Sequence, residues 1–362
     1  PRAVEIGLSQ LDFACKVSAN DARAVAWTAW FLRPWFRRED ACSPDWSLAF
    51  LHDDNLFGQL SEERQKARLR ETNLCVQHNY SKGPCSAFDL GDCRVLYDVE
   101  FLSFCLFRPE LRSAVIVAES GNTRAPSTLM RIVRELAMLD HQRKNGLVLH
   151  AAAVEDGGRA TLIVAPKRGG KTTFLLGALN NGARMLANDR LILTEKTGHM
   201  EAVGIPTVVS LREGSLDLFP EVREALYSRW MHFRRFAQRT RLSNKRTLSP
   251  TQLCRVLRVP PCDQATVEKI LFLKAGRGPA RELAPREIKS RLEAELFDFT
   301  DTDNHMLASL YPVGKERFND SIDRISALIS QQVSCLEYPR EGESPRPAVP
   351  AKKTCETPLS RG

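Results

Sequence analysis

The residues that decide the fold are 147–206, LVLHAAAVEDGGRATLIVAPKRGGKTTFLLGALNNGARMLANDRLILTEKTGHMEAVGIP. They open with two apolar runs, 147–154 and 160–164, and two glycines between the runs supply the positive φ angles of a tight hairpin. The second run leads directly into APKRGGKTT at 165–173, and the helical run FLLGALNN that follows ends near Gly182. The pattern predicts two antiparallel strands, a phosphate-binding loop and a helix.

A loop of this kind binds nucleotide phosphates through consecutive backbone N–H groups and the positive end of the helix. We expect Lys171 to neutralise the β- and γ-phosphates of ATP and Thr172 to offer its hydroxyl to Mg²⁺. The pattern G-x-x-x-x-G-K-[ST] is broken at its first position by Ala165, where a methyl group matters only if φ is positive. The predicted ATP-binding residues of the loop are Ala165, Lys167, Arg168, Gly169, Gly170, Lys171, Thr172 and Thr173.

An acidic residue follows this loop closely. Asp189 comes eighteen residues after Lys171, just beyond the apolar run 185–187, and a further turn precedes Glu201 and Gly204. The common P-loop ATPases carry their second acidic strand much farther along the chain. The spacing therefore indicates a different group of phosphate-loop proteins.

Four features follow one another here: a strand histidine, a phosphate loop, a strand ending in Asp, and a Glu-x-x-Gly strand. HPr kinase/phosphorylase and its relatives have the same features in the same order. Residues 149–206 resemble the core of that family. The resemblance implies an α/β fold with a mixed α+β sheet, which ATP-dependent phosphoenolpyruvate carboxykinases share. The metal-binding Lys and His and the substrate arginines of those carboxykinases have no counterpart here, so decarboxylation is disfavoured.

The resemblance also implies a catalytic set of Asp189, His150 and Lys171. Asp189 would accept or orient the proton of the acceptor hydroxyl, and His150 would contact phosphate or orient Asp189. The alternatives are a turn residue at the strand end for Asp189 and a hydrogen-bonded core histidine for His150.

A Mg²⁺ site of Thr172, Asn188 and Glu201 is implied in the same way. Asn188 stands where the family has the first aspartate of a pair, so the site keeps an oxygen donor but loses one negative charge. One charge pair at about 4 Å is worth roughly 4 kcal/mol before desolvation at an effective dielectric of about 20. We therefore expect weaker metal binding than in the family. Solvated hairpin positions are the alternative for Asn188 and Glu201.

The composition favours a globular protein: 43% of the 362 residues are hydrophobic and 27% are charged. The longest apolar runs fall far short of the roughly 20 residues that a membrane-spanning helix needs, so a soluble protein is expected. Ten cysteines without a Cys-x-x-Cys pair predict reduced thiols in a cytoplasmic protein and disfavour a zinc site. The net charge of +8 suits a partner that carries phosphates or carboxylates.

We predict three regions: a smaller N-terminal α/β domain of unknown role at 1–125, a kinase domain at 126–336, and a disordered Pro-rich tail at 337–362. Apolar residues at helical spacing predict a helix over 127–144. The aromatic stretch 27–36 indicates a buried element, with a membrane-surface anchor as the alternative.

A basic run at 229–246, with interleaved aromatics, lies where the resembling family carries a mobile basic loop. It predicts a lid over phosphate or a grip on the substrate, and Arg212 is a further residue for clamping phosphate. The alternatives are a solvated helix face and, least favoured, RNA or DNA binding.

The sequence thus predicts an ATP- and Mg²⁺-dependent kinase that transfers the γ-phosphoryl group to a hydroxyl. The resemblance implies a Ser or Thr of a peptide or small protein as the acceptor, and a small-molecule acceptor such as a free amino acid remains open. A nucleotide-binding regulatory or scaffold protein, with Ala165 and Asn188 marking lost catalysis, is the alternative from a different class. The sequence does not determine the oligomeric state, and it is compatible with a homo-oligomer.

Overall fold

The computed structural model describes residues 3–40, 43–75, 85–227 and 245–339, and all structural statements refer to these ranges. Two large mixed β-sheets, a two-stranded sheet and the surrounding helices make up this part of the chain. The fold is mixed α/β, as the sequence predicted.

The first sheet belongs to the N-terminal residues. Its elements are β1 (Val4–Gln10), β2 (Phe13–Ala19), α1 (Ala22–Leu32), β3 (Arg37–Arg38), β4 (Trp46–His52), α2 (Asp54–Lys66), β5 (Arg70–Thr72), β6 (Cys85–Leu90), β7 (Cys93–Asp98), β8 (Ser103–Arg108) and β9 (Ser113–Ala118). The strand order is β3-β1-β2-β4-β9-β8-β7-β6-β5. Strand β4 pairs parallel with β2 and β9, and the other pairs are antiparallel.

Helix α3 (Pro126–Arg143) lies between this sheet and the second one. It confirms the helix predicted over 127–144. Every residue from Pro126 to Gln142 except Arg131 is buried, and the main hydrophobic core draws side chains from both sheets around it. The polar side chains of α3 are accommodated by specific partners, as where the Tyr311 hydroxyl donates to Asp140 Oδ1 at 3.0 Å. The predicted boundary at 125/126 precedes this shared helix, and the division into domains stays a prediction.

The second sheet carries the sequence that decided the fold. Its elements and those packed beside it are β10 (Leu147–Leu149), β11 (Ala151–Asp156), β12 (Arg159–Val164), α4 (Lys171–Asn180), β13 (Arg184–Ala187), β14 (Arg190–Lys196), β15 (His199–Ile205), β16 (Val209–Arg212), α5 (Glu213–Leu216), α6 (Pro220–Tyr227), β17 (Lys245–Leu248), α7 (Pro250–Leu257), β18 (Gln264–Lys274), β19 (Arg281–Glu282), α8 (Pro285–Glu293), α9 (Met306–Leu310), α10 (Lys315–Gln332) and β20 (Ser334–Pro339). Strands β16 and β17 form the separate two-stranded sheet.

The strand order of the second sheet is β10-β14-β15-β18-β12-β11-β13, and β20 pairs with β18 and β19. Strand β18 runs parallel to β12 and β20, and the other pairs are antiparallel. The predicted hairpin is confirmed by β11 and β12, which pair from Ala151 opposite Val164 to Asp156 opposite Arg159. The loop after β12 therefore leaves from the middle of a sheet.

The aromatic stretch 27–36 joins the two sheets, which confirms the predicted buried element. Trp35 is buried, and its indole Nε1 donates to the backbone oxygen of Leu186 in β13 at 2.7 Å. Gln10 of β1 donates to the backbone oxygen of Gly204 in β15 at 3.0 Å. Gly204 has no space for a side chain, because a Cβ there would lie 2.5 Å from Trp35 Nε1. The first sheet thus holds the backbone of β13 and β15 directly.

Some predictions fall at the limits of the described residues. The prediction of a disordered tail from residue 337 is wrong for its first three residues, because β20 continues to Pro339. The rest of the predicted tail, 340–362, lies outside the described residues. Most of the basic run 229–246 also lies outside them. None of the eight described cysteines forms a disulfide with another described residue, and all eight are buried. Of the described helices, none is long and apolar enough to cross a membrane.

Candidate active site

The loop at 165–170 turns the chain from the end of β12 into α4. Arg168 and Gly170 both have positive φ, at 67° and 93°. Gly169 is enclosed by the loop, since a Cβ there would lie 2.7 Å from the Cβ of Ala165 and 2.8 Å from the backbone oxygen of Pro166. Ala165 itself does not adopt the left-handed conformation. Its methyl group therefore introduces no backbone strain at the position where the consensus has glycine.

Lys171 begins helix α4 and is buried. Its ammonium group donates to the backbone oxygen of Ala165, and burial lowers the pKa of Lys171 against the opposing fields of Glu295 and Asp189. The first turn of α4 has no side-chain cap and no acidic residue, so its N–H groups and the helix dipole are directed at the loop. The loop and the helix start together form a cationic surface suited to phosphate.

The two hydroxyls after Lys171 differ in their surroundings. The hydroxyl of Thr172 has no hydrogen-bond partner among the described residues and is partly accessible. Thr173 Oγ1 lies 3.4 Å from Ser215 Oγ of α5. Arg212, three residues before Ser215, is exposed, as are Lys167 and Arg168 of the loop. The side chains of these three cations are therefore accessible to solvent, unlike that of Lys171.

His150 lies between two carboxylates. It falls between β10 and β11, its Nε2 is 3.3 Å from Asp189 Oδ1, and its Nδ1 is 2.8 Å from Glu295 Oε2. The side chains of His150 and Glu295 are 14% and 10% exposed, whereas Asp189 keeps 43% of its side-chain surface accessible. The cluster is thus closed on the Glu295 side and open at Asp189.

The hydrogen bonds and charges in this cluster shift the pKa values of His150 and Asp189 in opposite directions. Burial lowers the pKa of His150, but the hydrogen bonds to Asp189 and Glu295 outweigh it and the pKa is raised above its usual value. Burial raises the pKa of Asp189, but the bond from His150 and the charges of His150, Arg190 and Lys171 bring it down to about 2. At neutral pH Asp189 is therefore ionised, and the hydrogen bonds to Asp189 and Glu295 favour the protonated form of His150.

Arg190 and Phe297 lie beside the cluster of His150 and Asp189. The guanidinium of Arg190 lies 4.5 Å from the centre of the Phe297 ring, and its Nε is 3.8 Å from Asp189 Oδ2. Its Nη1 lies 3.5 Å from an oxygen of Glu135, a fully buried residue of α3. The Phe297 ring also meets His150 edge-on at 6.1 Å. The Phe297 ring therefore packs against both Arg190 and His150, the two side chains that flank Asp189.

The residues predicted to hold Mg²⁺ differ in their surroundings. Asn188 is buried beside Asp189, and its Oδ1 accepts a hydrogen bond from the Thr207 hydroxyl at 2.9 Å. An amide oxygen has two lone pairs, so it can still serve as a ligand. The donor set of Thr172 and Asn188 fits a hard cation, although both donors are neutral.

Glu201 lies elsewhere. It sits opposite Thr194 in the pairing of β14 with β15, while Arg190 sits opposite Ile205. Four residues of strand separate these positions, or roughly 13 Å at 3.3 Å per residue. Glu201 Oε1 accepts from the Thr266 hydroxyl at 2.5 Å. The structure thus places Glu201 within the sheet and does not bring it to Asp189.

No family model and no curated protein matches this chain. It is similar to a solved structure of the HPr(Ser) kinase/phosphatase from Coxiella burnetii, with 12% identity and a TM-score of 0.24 over 38% of this chain and 76% of that one. The likeness is distant. A TM-score this low does not show that the two proteins share a fold or an activity.

Three residues of the cluster were absent from the sequence prediction: Glu295, Arg190 and Phe297. Glu295 follows the charged, amphipathic run that forms α8 and has no local pattern that distinguishes it from its neighbours. It is 145 residues away from His150 along the chain. Of the three, Arg190 could have been predicted from the sequence, because it directly follows the predicted catalytic Asp189.

Proposed function

We propose that this protein is an ATP- and Mg²⁺-dependent kinase that transfers the γ-phosphoryl group of ATP to a hydroxyl, with an HPr-kinase-like phosphate-loop core. The observation that carries the proposal is the cluster of Lys171, His150 and Asp189 at the start of α4. It combines a buried cation on a phosphate-binding loop with an accessible carboxylate held by a histidine. Phosphoryl transfer needs these parts, since its catalysis consists mainly of positioning and charge neutralisation.

In this proposal the phosphates of ATP lie over residues 165–173, where backbone N–H groups, the helix dipole and Lys171 neutralise them. Lys171 exchanges its contact with the Ala165 oxygen for the phosphates. Thr172 and Asn188 hold Mg²⁺, which would supply further neutralisation of the β- and γ-phosphates when bound.

Asp189 orients the acceptor hydroxyl. With a pKa of about 2, it is ionised at neutral pH but is a weak base. It therefore acts mainly by holding the hydroxyl in line with the γ-phosphate, and it takes the proton only as the new bond forms, which suits the loose transition state of phosphoryl transfer. His150 keeps that carboxylate in place and adds a positive charge beside the phosphates.

The acceptor we propose is a Ser or Thr side chain of a peptide or small protein, on the strength of the sequence resemblance. A free hydroxy amino acid is the small-molecule alternative. The accessible face of Asp189 is compatible with either.

The test is ATP turnover and γ-phosphate transfer in the presence of Mg²⁺, with Ser-containing peptides and free amino acids as acceptors. We expect Lys171→Ala to lose ATP binding and transfer, and Asp189→Asn to keep ATP binding but lose transfer. Lys196→Ala and Asp156→Asn serve as matched controls, because both residues are exposed at hairpin ends away from the loop. Transfer that persists in Asp189→Asn would count against a catalytic role for this carboxylate.

A nucleotide-binding regulatory or scaffold protein is the second candidate. It is favoured by one feature of the metal site, since the Asn188 oxygen is already bonded to Thr207 and Glu201 lies apart. This candidate predicts ATP binding through Lys171, no phosphorylated acceptor, and no effect of Asp189→Asn on either. Nucleic-acid binding would instead appear as steeply salt-dependent affinity for RNA or DNA without ATP binding.

A further inference from the structure

The contacts of His150 indicate how many protons its imidazole ring carries. Ionised carboxylates only accept hydrogen bonds, whereas a neutral imidazole has a single N–H to donate. His150 nevertheless has a carboxylate oxygen at hydrogen-bonding distance from each ring nitrogen, Glu295 Oε2 at Nδ1 and Asp189 Oδ1 at Nε2. Both contacts can be hydrogen bonds to ionised carboxylates only when the imidazole carries both protons.

The backbone fixes Glu295 in this arrangement. The His150 amide donates to the backbone oxygen of Glu295 at 2.8 Å, and the Phe297 amide donates to the backbone oxygen of Val148 at 2.9 Å. Leu149 and Leu296 face each other between these two bonds as an isolated β-bridge. Residues 295–297 therefore pair with 148–150 as a short antiparallel ladder, and neither Glu295 nor His150 can shift without breaking it.

We propose that Glu295 is a positioning residue: its buried carboxylate keeps His150 in the doubly protonated form, so that the Nε2–H group of His150 holds the Asp189 side chain in place beside the phosphate loop. The proposal deepens the kinase function and rests on it for its catalytic meaning. The proton arrangement itself can be measured without any activity.

Within the described residues, the charged groups that face His150 include side chains from three segments. Asp189 follows β13, Glu295 follows α8, and Lys171 begins α4 and opposes protonation of His150 through its own charge. Asp189 is open to solvent and would be shared with an acceptor, whereas Glu295 is enclosed. Glu295 is therefore the partner that can maintain the imidazolium throughout a reaction.

The variant that isolates this role is Glu295→Gln. Glutamine has the same shape and can still accept from Nδ1, so it removes the charge and keeps the hydrogen bond. Glu293→Gln is the matched control, because Glu293 is two residues away, exposed, and contacts only Lys289 across the surface among the ion pairs of the described residues. Glu295→Asp keeps the charge on a shorter side chain.

The experiment is ¹H–¹⁵N NMR of the histidine ring nitrogens of the full-length protein across neutral pH, with His150→Gln used to assign the His150 signals. In wild type and in Glu293→Gln we expect both ring nitrogens of His150 to be protonated at pH 7.5. In Glu295→Gln we expect the imidazolium signals to be lost at that pH, and in Glu295→Asp we expect them to return at least in part. An imidazolium that survives in Glu295→Gln, or a neutral His150 in wild type, overturns the proposal.

Transfer kinetics separate this proposal from the kinase function. If the protein is a kinase, Glu295→Gln should lower kcat for transfer with little change in the KM for ATP, and its activity should fall at a lower alkaline pH than in wild type. If the NMR result is as expected but no variant transfers phosphate, the kinase function fails and the role of Glu295 in protonating His150 stands. If Glu295→Gln does not fold, the wild-type spectrum and Glu295→Asp decide the question.

Discussion

Substitution of Gly204 by alanine tests how the N-terminal sheet holds the candidate site. The added Cβ would lie 2.5 Å from Trp35 Nε1 and 2.6 Å from Trp35 Cδ1, and closer still to the backbone oxygen of Leu186. Leu186 lies two residues before Asn188, so the clash falls on the strand that leads into the candidate site. Two of the three atoms that must move already form the 2.7 Å hydrogen bond from Trp35 Nε1 to Leu186.

The expected loss of stability has two parts. Overpacking of a filled core typically costs about 1–3 kcal/mol. Breaking a buried hydrogen bond and leaving its partners unpaired costs about 1–3 kcal/mol more. We therefore expect the free energy of unfolding of Gly204→Ala to fall by about 2–6 kcal/mol, much of the stability of a typical domain.

Urea unfolding followed by circular dichroism measures this loss. Trp35→Phe removes the indole donor together with part of the ring volume, so its loss of stability is an upper limit to the hydrogen-bond part. The double variant Gly204→Ala, Trp35→Phe should lose less than the sum of the two, because both changes break the same bond. Gly58→Ala is the control: Gly58 lies in α2 with open space around it, and alanine there should stabilise the helix by up to about 1 kcal/mol.

A Gly204→Ala protein whose free energy of unfolding stays within about 0.5 kcal/mol of wild type, the range of ordinary surface changes, would refute this reasoning. It would mean that the two sheets can separate near β13 and β15 without loss. The contact could then not be what positions the strand end.

Three further outcomes are expected. Because the pKa of Asp189 is lowered to about 2, its contribution to stability is complete above its unfolded pKa of about 4 and is lost as pH falls towards 2; acid unfolding of Asp189→Asn should lack this component relative to wild type. Asn188→Asp adds a negative charge to the proposed Mg²⁺ site, so Mg²⁺ should support ATP binding or turnover at lower concentration, and a Mg²⁺ titration with no change would argue against Asn188 as a ligand. Burial raises the pKa of Cys85 to about 11 and those of Cys254 and Cys335 to about 12, so these thiols should react with a disulfide reagent slowly in the native protein and rapidly in urea.

The sequence by itself determined the strand, loop and helix around Lys171, the hairpin that precedes them and the long helix α3. These features depend on neighbouring residues, since glycines, a lysine at a helix start and apolar spacing act within one or two turns of the backbone. The position of Asp189 at a strand end beside the loop followed from the same local pattern.

Only the tertiary structure decided which side chains surround Asp189. Glu295 reaches His150 through a short ladder between segments 145 residues apart, and no periodicity in the chain records such a contact. The register of β14 with β15 placed Glu201 along the sheet and away from Asp189, although the sequence resemblance implied that Glu201 is a metal ligand. Gly204 is required by an indole from the other sheet. Local patterns specify backbone elements, but the partners of a buried charge depend on how distant elements pack, because burial and pairing are properties of the assembled core.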